Sequence, residues 1–279
     1  MEYENDTRLL KEPSTLIFNM EITNGYVFRQ IFELYDRLVI NGIPIFFKES
    51  GVTIRTGTTS CRDNRKLISD VEIFTDDIIN YYINTDLTTV KSSDSEKACQ
   101  IEKISMNTVK SVFKSIAKSN SIRFYKTTLS DDIFIEIRGV TVEHSRISSG
   151  RYQNTEYDLS PFKYTSKPNV RIEISQFCTT MKGMTRGDTD YTVFKVYPEG
   201  LVVEGRNTMG SVMKDNRWGK IKGDFHESKV SSSFVKSLCK INGMANYSII
   251  KLYCNRDGYL KLNHKIGDFG DHNIYLSEN

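Results

Sequence analysis

SMNTVKSVFKSIAKSNSIRFYKTTLSDDIFIEIR, residues 105–138, decides the fold. Met106, Val109, Val112, Phe113 and Ile116 recur at the three- and four-residue spacing of one helix face. After Asn120 the period changes, and residues 121–125 and 133–138 alternate as half-buried strands do. The same phrase, a short strand leading into a helix and then alternating strands, occurs four times along the chain. The helices read 25–41, 105–119, 174–186 and 230–242. Behind them come strand pairs at 43–48 and 51–56, 121–125 and 133–138, 191–196 and 201–203, and 248–254 and 259–263. Self-similarity of this kind predicts one supersecondary unit used four times, two units to each half of the chain.

The polar sides of these helices repeat a chemistry. Lys110, Lys114 and Lys118 stand four apart, with no acidic residue between Lys103 and Lys126 to relieve their repulsion. A merely solvated face would intersperse Glu or Asp, so the row predicts a polyanionic partner. Lys182 and Arg186 lie off the apolar stripe of the third helix, and Lys236 and Lys240 stand four apart on the fourth. In the first helix Val27, Phe28, Ile31, Phe32, Leu34, Tyr35 and Leu38 mark the buried side, and Arg29 belongs to the other.

The chain has 279 residues, enough for two domains of ordinary size, and a net charge of only +3, so charge distribution rather than total charge bears on partners. Residues 1–15 read as a polar leader, 16–142 as a first domain, 143–167 as a connecting loop and 168–279 as a second domain. The loop carries Leu159, Pro161 and Phe162, more apolar bulk than a passive tether needs. Five cysteines contain no C-x-x-C pair and four histidines no H-x-x-x-H spacing, so buried free thiols and no metal site are expected. Glu2, Glu4 and Asp6 stand where a secretory signal would be basic, and no apolar run reaches membrane-spanning length, so a soluble intracellular protein without a membrane partner is expected. Asp76-Asp77 and Asp131-Asp132 sit where caps and turns place Asp. Asp268-Phe269-Gly270 lacks the Gly-rich loop and H-R-D segment that would make it a kinase motif. No catalytic residue and no cofactor are expected.

Residues 248–279, SIIKLYCNRDGYLKLNHKIGDFGDHNIYLSEN, resemble the end of the sliding clamps of the proliferating cell nuclear antigen family, which run through a K-I-A-D-M-G-like turn into Y-Y-L-A-P-K. Residues 106–118 look like that family's lysine-bearing second helix, and 25–38 followed by Ser50-Gly51-Val52 like its first helix and the turn after it. The resemblance runs in order from Leu16 to Leu276. It departs from the family at 58–63, where D-S-S-H-V is replaced by a longer segment, in the tail Ser277-Glu278-Asn279, and in the longer leader. A divergent clamp encoded by a large DNA virus would fit these differences.

The resemblance implies an α+β DNA-clamp fold, with helices lining the inside of a ring and sheets outside. It implies a homotrimeric polymerase processivity factor that encircles duplex DNA without reading its sequence, through Arg29, Lys110, Lys114, Lys118, Lys182, Arg186, Lys236 and Lys240. The implied partners are a DNA polymerase and other replication proteins bearing short motifs, a clamp loader, and further copies of the chain, in the nucleus or at a cytoplasmic viral replication site. Tyr275 and Leu276 would join Leu159, Pro161 and Phe162 around the motif pocket. The alternative is a clamp-fold scaffold for viral transcription or checkpoint complexes that does not encircle DNA as a homotrimer.

Overall fold

All four helices are present in the computed structural model, and the second, third and fourth are shorter than their apolar periods suggest. The structure describes residues 15–35, 42–59, 66–87, 100–150, 159, 164, 167–187, 189–244, 248–255, 257, 259–268 and 270–277. α1 spans Gly25–Tyr35, α2 Met106–Phe113, α3 Ile174–Met184 and α4 Ser232–Leu238. α2 stops five residues before Lys118 because Asn120 takes over its end. Asn120 Oδ1 accepts from the Ala117 N–H at 2.6 Å, while the Ile116 N–H turns back to Phe113 O at 3.2 Å, an i to i+3 bond that tightens the last turn. α4 likewise tightens into a 3₁₀ turn, Cys239–Gly243, so its apolar period outlasts its α-helical bonding.

The strands are antiparallel throughout. β1 (Leu16–Ile22), β2 (Ile43–Lys48), β3 (Gly51–Thr59), β4 (Lys66–Phe74), β5 (Tyr82–Ile83), β6 (Gln100–Ile104), β7 (Ser121–Thr127), β8 (Asp132–Arg138) and β9 (Val142–Gly150) belong to the first half. The second half holds β10 (Val170–Glu173), β11 (Tyr191–Tyr197), β12 (Glu199–Arg206), β13 (Val212–Lys220), β14 (His226–Ser231), β15 (Ile249–Cys254), β16 (Leu260–Ile266) and β17 (Gly270–Ser277). One sheet of thirteen strands runs β10-β15-β16-β17-β4-β3-β2-β6-β9-β8-β7-β1-β5, and a second of four runs β13-β12-β11-β14. The halves are joined inside the large sheet, where β17 pairs with β4 from Gly270↔Ile73 to Ser277↔Lys66. The β2–β3 turn needs Gly51, whose φ is 137°; a Cβ there would lie 2.1 Å from Ile73 O.

Two differences from the sequence reading have one cause. Val142–Gly150 is a strand, although 143–167 was expected to be a connecting loop throughout. Val212–Lys220 is also a strand that no alternation announced. Among the residues of β9 whose burial is described only Ile147 is buried, and of β13 only Trp218. A strand exposed on both faces shows no period-2 signal.

One apolar cluster underlies all four helices and both sheets. Its densest part is aromatic. Phe28 meets Phe32 at 5.2 Å, Phe124 at 5.0 Å and Phe113 at 6.3 Å between ring centroids, and Phe32 meets Phe113 at 4.8 Å. Burying one such side chain contributes about 1.5–3 kcal/mol, and here it fixes α1 and α2 to each other and to β7.

Candidate nucleic-acid interface

The helices pack as a row. α1 touches α2 on one side and the Cys239–Gly243 turn on the other, and α3 packs against that turn and against α4. With their apolar sides in the core, their polar sides share one surface. Lys110, Lys114, Lys118, Lys182, Arg186 and Lys236 are exposed on it, and Lys240 is half-buried. No acidic residue occurs in α2, α3 or α4. The row is therefore electropositive, its long side chains extending from a rigid base.

Three of the expected residues stand differently from the helical reading. Arg29 is not a free cation: its Nη1 donates to Lys114 O at 3.0 Å and Ile116 O at 3.2 Å, and its Nε to Glu33 Oε1 at 2.8 Å. It closes the C-terminal end of α2, where orphan carbonyls and the helix dipole favour a cation. Lys118 lies beyond the helix end and off the Lys110–Lys114 line, with its Nζ 5.8 Å from the Tyr26 ring centroid. Lys240 Nζ lies 4.0 Å from Glu33 Oε2, across the joint between the halves.

Sequence reasoning missed Tyr26, Glu33 and Lys214. Tyr26 sits between two cations, with the Arg29 guanidinium also 5.8 Å from its ring, and the i, i+3 spacing of Tyr26 and Arg29 was the legible signal. Lys214, on β13, donates to Gly183 O at 3.0 Å and Arg186 O at 2.7 Å, closing α3 as Arg29 closes α2. Nothing local in the sequence links Lys214 to that helix.

A second surface lies on the outer side of the large sheet. Leu159 packs with Tyr164 and Tyr259 against Ile68 of β4 and Tyr275 of β17. Tyr164 lies 6.5 Å from Tyr275, with the rings 28° apart, and 6.2 Å from Tyr253. Lys261 Nζ stands over both Tyr275 and Tyr253, at 5.5 and 5.8 Å. Desolvation lowers the Lys261 pKa, and burial holds the Tyr164 and Tyr275 hydroxyls protonated well above the ordinary phenol range. The Cys254 thiol is pushed up to about 12 by burial. Two of the five expected pocket residues, Leu159 and Tyr275, are thus brought together. Leu276 is not with them: one position further along β17 its side chain turns into the main core. Pro161 and Phe162 lie outside the described residues. Among the described residues no three His, Cys, Asp or Glu side chains gather as metal ligands would.

This architecture has counterparts among solved structures. A chain of the PCNA2–PCNA3 complex of Sulfolobus tokodaii superimposes with a TM-score of 0.73 at 15% identity, over 94% of this chain and 99% of that one. The proliferating cellular nuclear antigen of Entamoeba histolytica does so with a TM-score of 0.73 at 9% identity, over 95% and 99%. The chain has the clamp fold. No family sequence model and no curated protein matches it, so the likeness is one of architecture.

Among the described residues, two of the ladders left open are those of β13 and β9. β13 is an edge of its sheet, bonded among the described residues only to β12. β9 is bonded to β8 along its length, but β6 reaches only Ser149 and Gly150. Both strands carry exposed apolar side chains, Val142 on β9 and Val212 and Met213 on β13.

Proposed function

We propose that this chain is a DNA sliding clamp: a non-enzymatic ring that encircles duplex DNA and tethers a polymerase and other replication proteins to it. The observation that carries the reading is the continuous row of helices whose exposed surface bears Lys110, Lys114, Lys182, Arg186 and Lys236, with no acidic residue in three of the four. Lysines on long stems, without bidentate geometry toward a base edge, suit phosphate contacts that carry no sequence information and allow sliding.

Closure of the ring follows from the edges. An unpaired strand invites another, and β9 of one copy pairing with β13 of the next would remove both liabilities in a head-to-tail contact that closes when the rotation fits. The chain then acts as two domains, meeting at the β4–β17 seam. The outer cluster of Leu159, Tyr164, Tyr275 and Lys261 takes the place of the motif pocket, an aromatic surface of the kind that accepts an apolar anchor from a short partner segment.

Light scattering on the eluting peak tests the assembly. The expected mass at micromolar concentration is three times that of the 32.1 kDa chain. A peak at the mass of one chain would favour the scaffold alternative.

A further inference from the structure

A line of hydrogen-bond-length separations crosses the core at the joint between the two halves, and it holds one proton fewer than it has links. His264 on β16 faces His272 on β17, Nε2 to Nδ1, at 2.8 Å. His264 Nδ1 lies 2.9 Å from Lys265 O, and His272 Nε2 lies 2.8 Å from Ser69 Oγ across the β17–β4 seam. Ser69 Oγ is 3.2 Å from the Tyr35 hydroxyl, which is 3.0 Å from Ile54 O on β3. None of the four side chains is more than 1% exposed.

The directions follow from what each atom can do. A carbonyl only accepts, so His264 Nδ1 carries a proton and its Nε2 accepts. His272 then donates from Nδ1 and accepts at Nε2 from the Ser69 hydroxyl. Tyr35 gives its proton to Ile54 O. The link left without a proton is Ser69 to Tyr35, which is also the longest of the five.

Neither ring gains a proton without cost. A proton on His264 Nε2 would face the His272 Nδ1–H. A proton on His272 Nε2 would turn Ser69 toward Tyr35 and complete the line, but it would place a charge in the core with no counter-ion. The charged groups of the packed elements stand away from it. Asp70 and Glu72 of β4, Asp271 of β17, Lys261 of β16 and Arg55 of β3 lie on the opposite face of the sheet, as the register Asn273↔Asp70, Asp271↔Glu72 and Arg55↔Asp70 requires. Glu33 of α1 and Lys240 of the 3₁₀ turn face each other. Burial outweighs the Lys265 carbonyl and the Asp271 charge, which both favour charge on His264, and holds that ring down to about 4; burial and the neighbouring His264 hold His272 well below its ordinary value.

We propose that this line is an acid-released latch: neutral His272, held in one tautomer by His264, ties the second half to the first through Ser69, and proton uptake by the pair opens the β4–β17 seam while the rest of the fold stays closed. An exposed histidine titrates at about 6.5, and both rings titrate lower when buried. The latch is therefore fully closed above that pH and loosens as pH falls toward 4.

Hydrogen exchange on the intact protein at pH 7.5 and 5.0, corrected for intrinsic rates, reads this directly. Protection of the β4 and β17 amides is expected to fall about thirtyfold if one histidine is freed and about a thousandfold if both are. Protection in β11 and β12 should not change. In the His264→Gln/His272→Gln variant the seam should no longer respond to pH. Equal seam protection at the two pH values, loss spread over all strands together, or a variant as acid-sensitive as the parent would each overturn the latch. Should the variant fail to fold, nitrogen-15 spectra of the parent histidines decide. Rings that stay neutral with Nδ1 protonated until the seam opens support the proposal, and rings titrating near 6.5 with the seam still protected refute it.

Discussion

Replacing Lys110 and Lys114 by Ala is expected to weaken duplex binding and to flatten its dependence on salt. Both side chains are exposed and extend from a helix whose other face holds Val109 and Phe113 in the core. Truncating them removes charge without opening a cavity. Every lysine–phosphate pairing removed should reduce the slope of log affinity against log salt by about 0.9, so the double variant should reduce it by about two. The same variant binding random duplexes equally weakly would show that these lysines carry position and not sequence. An unchanged slope, with the melting temperature preserved, would remove them from the interface. Arg29→Ala should behave differently, because that guanidinium closes the end of α2: its main effect is expected on stability.

Phe124→Ala should have the largest effect on the fold, a destabilisation of about 3–5 kcal/mol. Phe124 is 1% exposed on β7, 5.0 Å from the Phe28 ring and 5.9 Å from that of Phe113. Its removal deprives α1 and α2 of their shared support, and the gap cannot collapse without moving both helices off the sheet. Urea unfolding measures the effect. Phe124→Leu, which keeps most of the volume, should cost less than about 1.5 kcal/mol. A destabilisation below that figure in the Ala variant would mean that the aromatic cluster does not hold the helix row.

Much of the fold was legible because the repeat is regular. The helices were placed by stripes such as Val109, Phe113 and Ile116, all buried as expected. The central strands were placed by alternation, and the β15–β16 hairpin by Asp257-Gly258, whose flanks close with the Asn255 N–H bonded to Tyr259 O at 3.1 Å. The edge strands β9 and β13 were not legible, since a single buried residue in each, Ile147 and Trp218, makes no alternation. β4 escaped for another reason. Its core face includes Ser69 and its outer face Ile68, so polarity does not sort by position until the histidine line and the outer cluster are seen.

The candidate sites were legible in the same uneven way. Exposed lysines on helices can be counted from sequence; which cation is already engaged cannot. Arg29 and Lys214 are engaged by carbonyls 85 and 31 residues away. Leu276 was misplaced by one position, which in a strand reverses the side chain. Tyr164 and Lys261 reach the outer cluster only through tertiary packing.

Encirclement of DNA is the central claim, and a threading experiment tests it without a loader. The protein is mixed with a short linear duplex biotinylated at both ends, streptavidin is added before or after it, and the sample is moved to high salt to strip electrostatic binding. A ring is expected to remain on the duplex only when streptavidin is added second, trapping what has already threaded. Equal retention in the two orders, or none in either, would contradict the account.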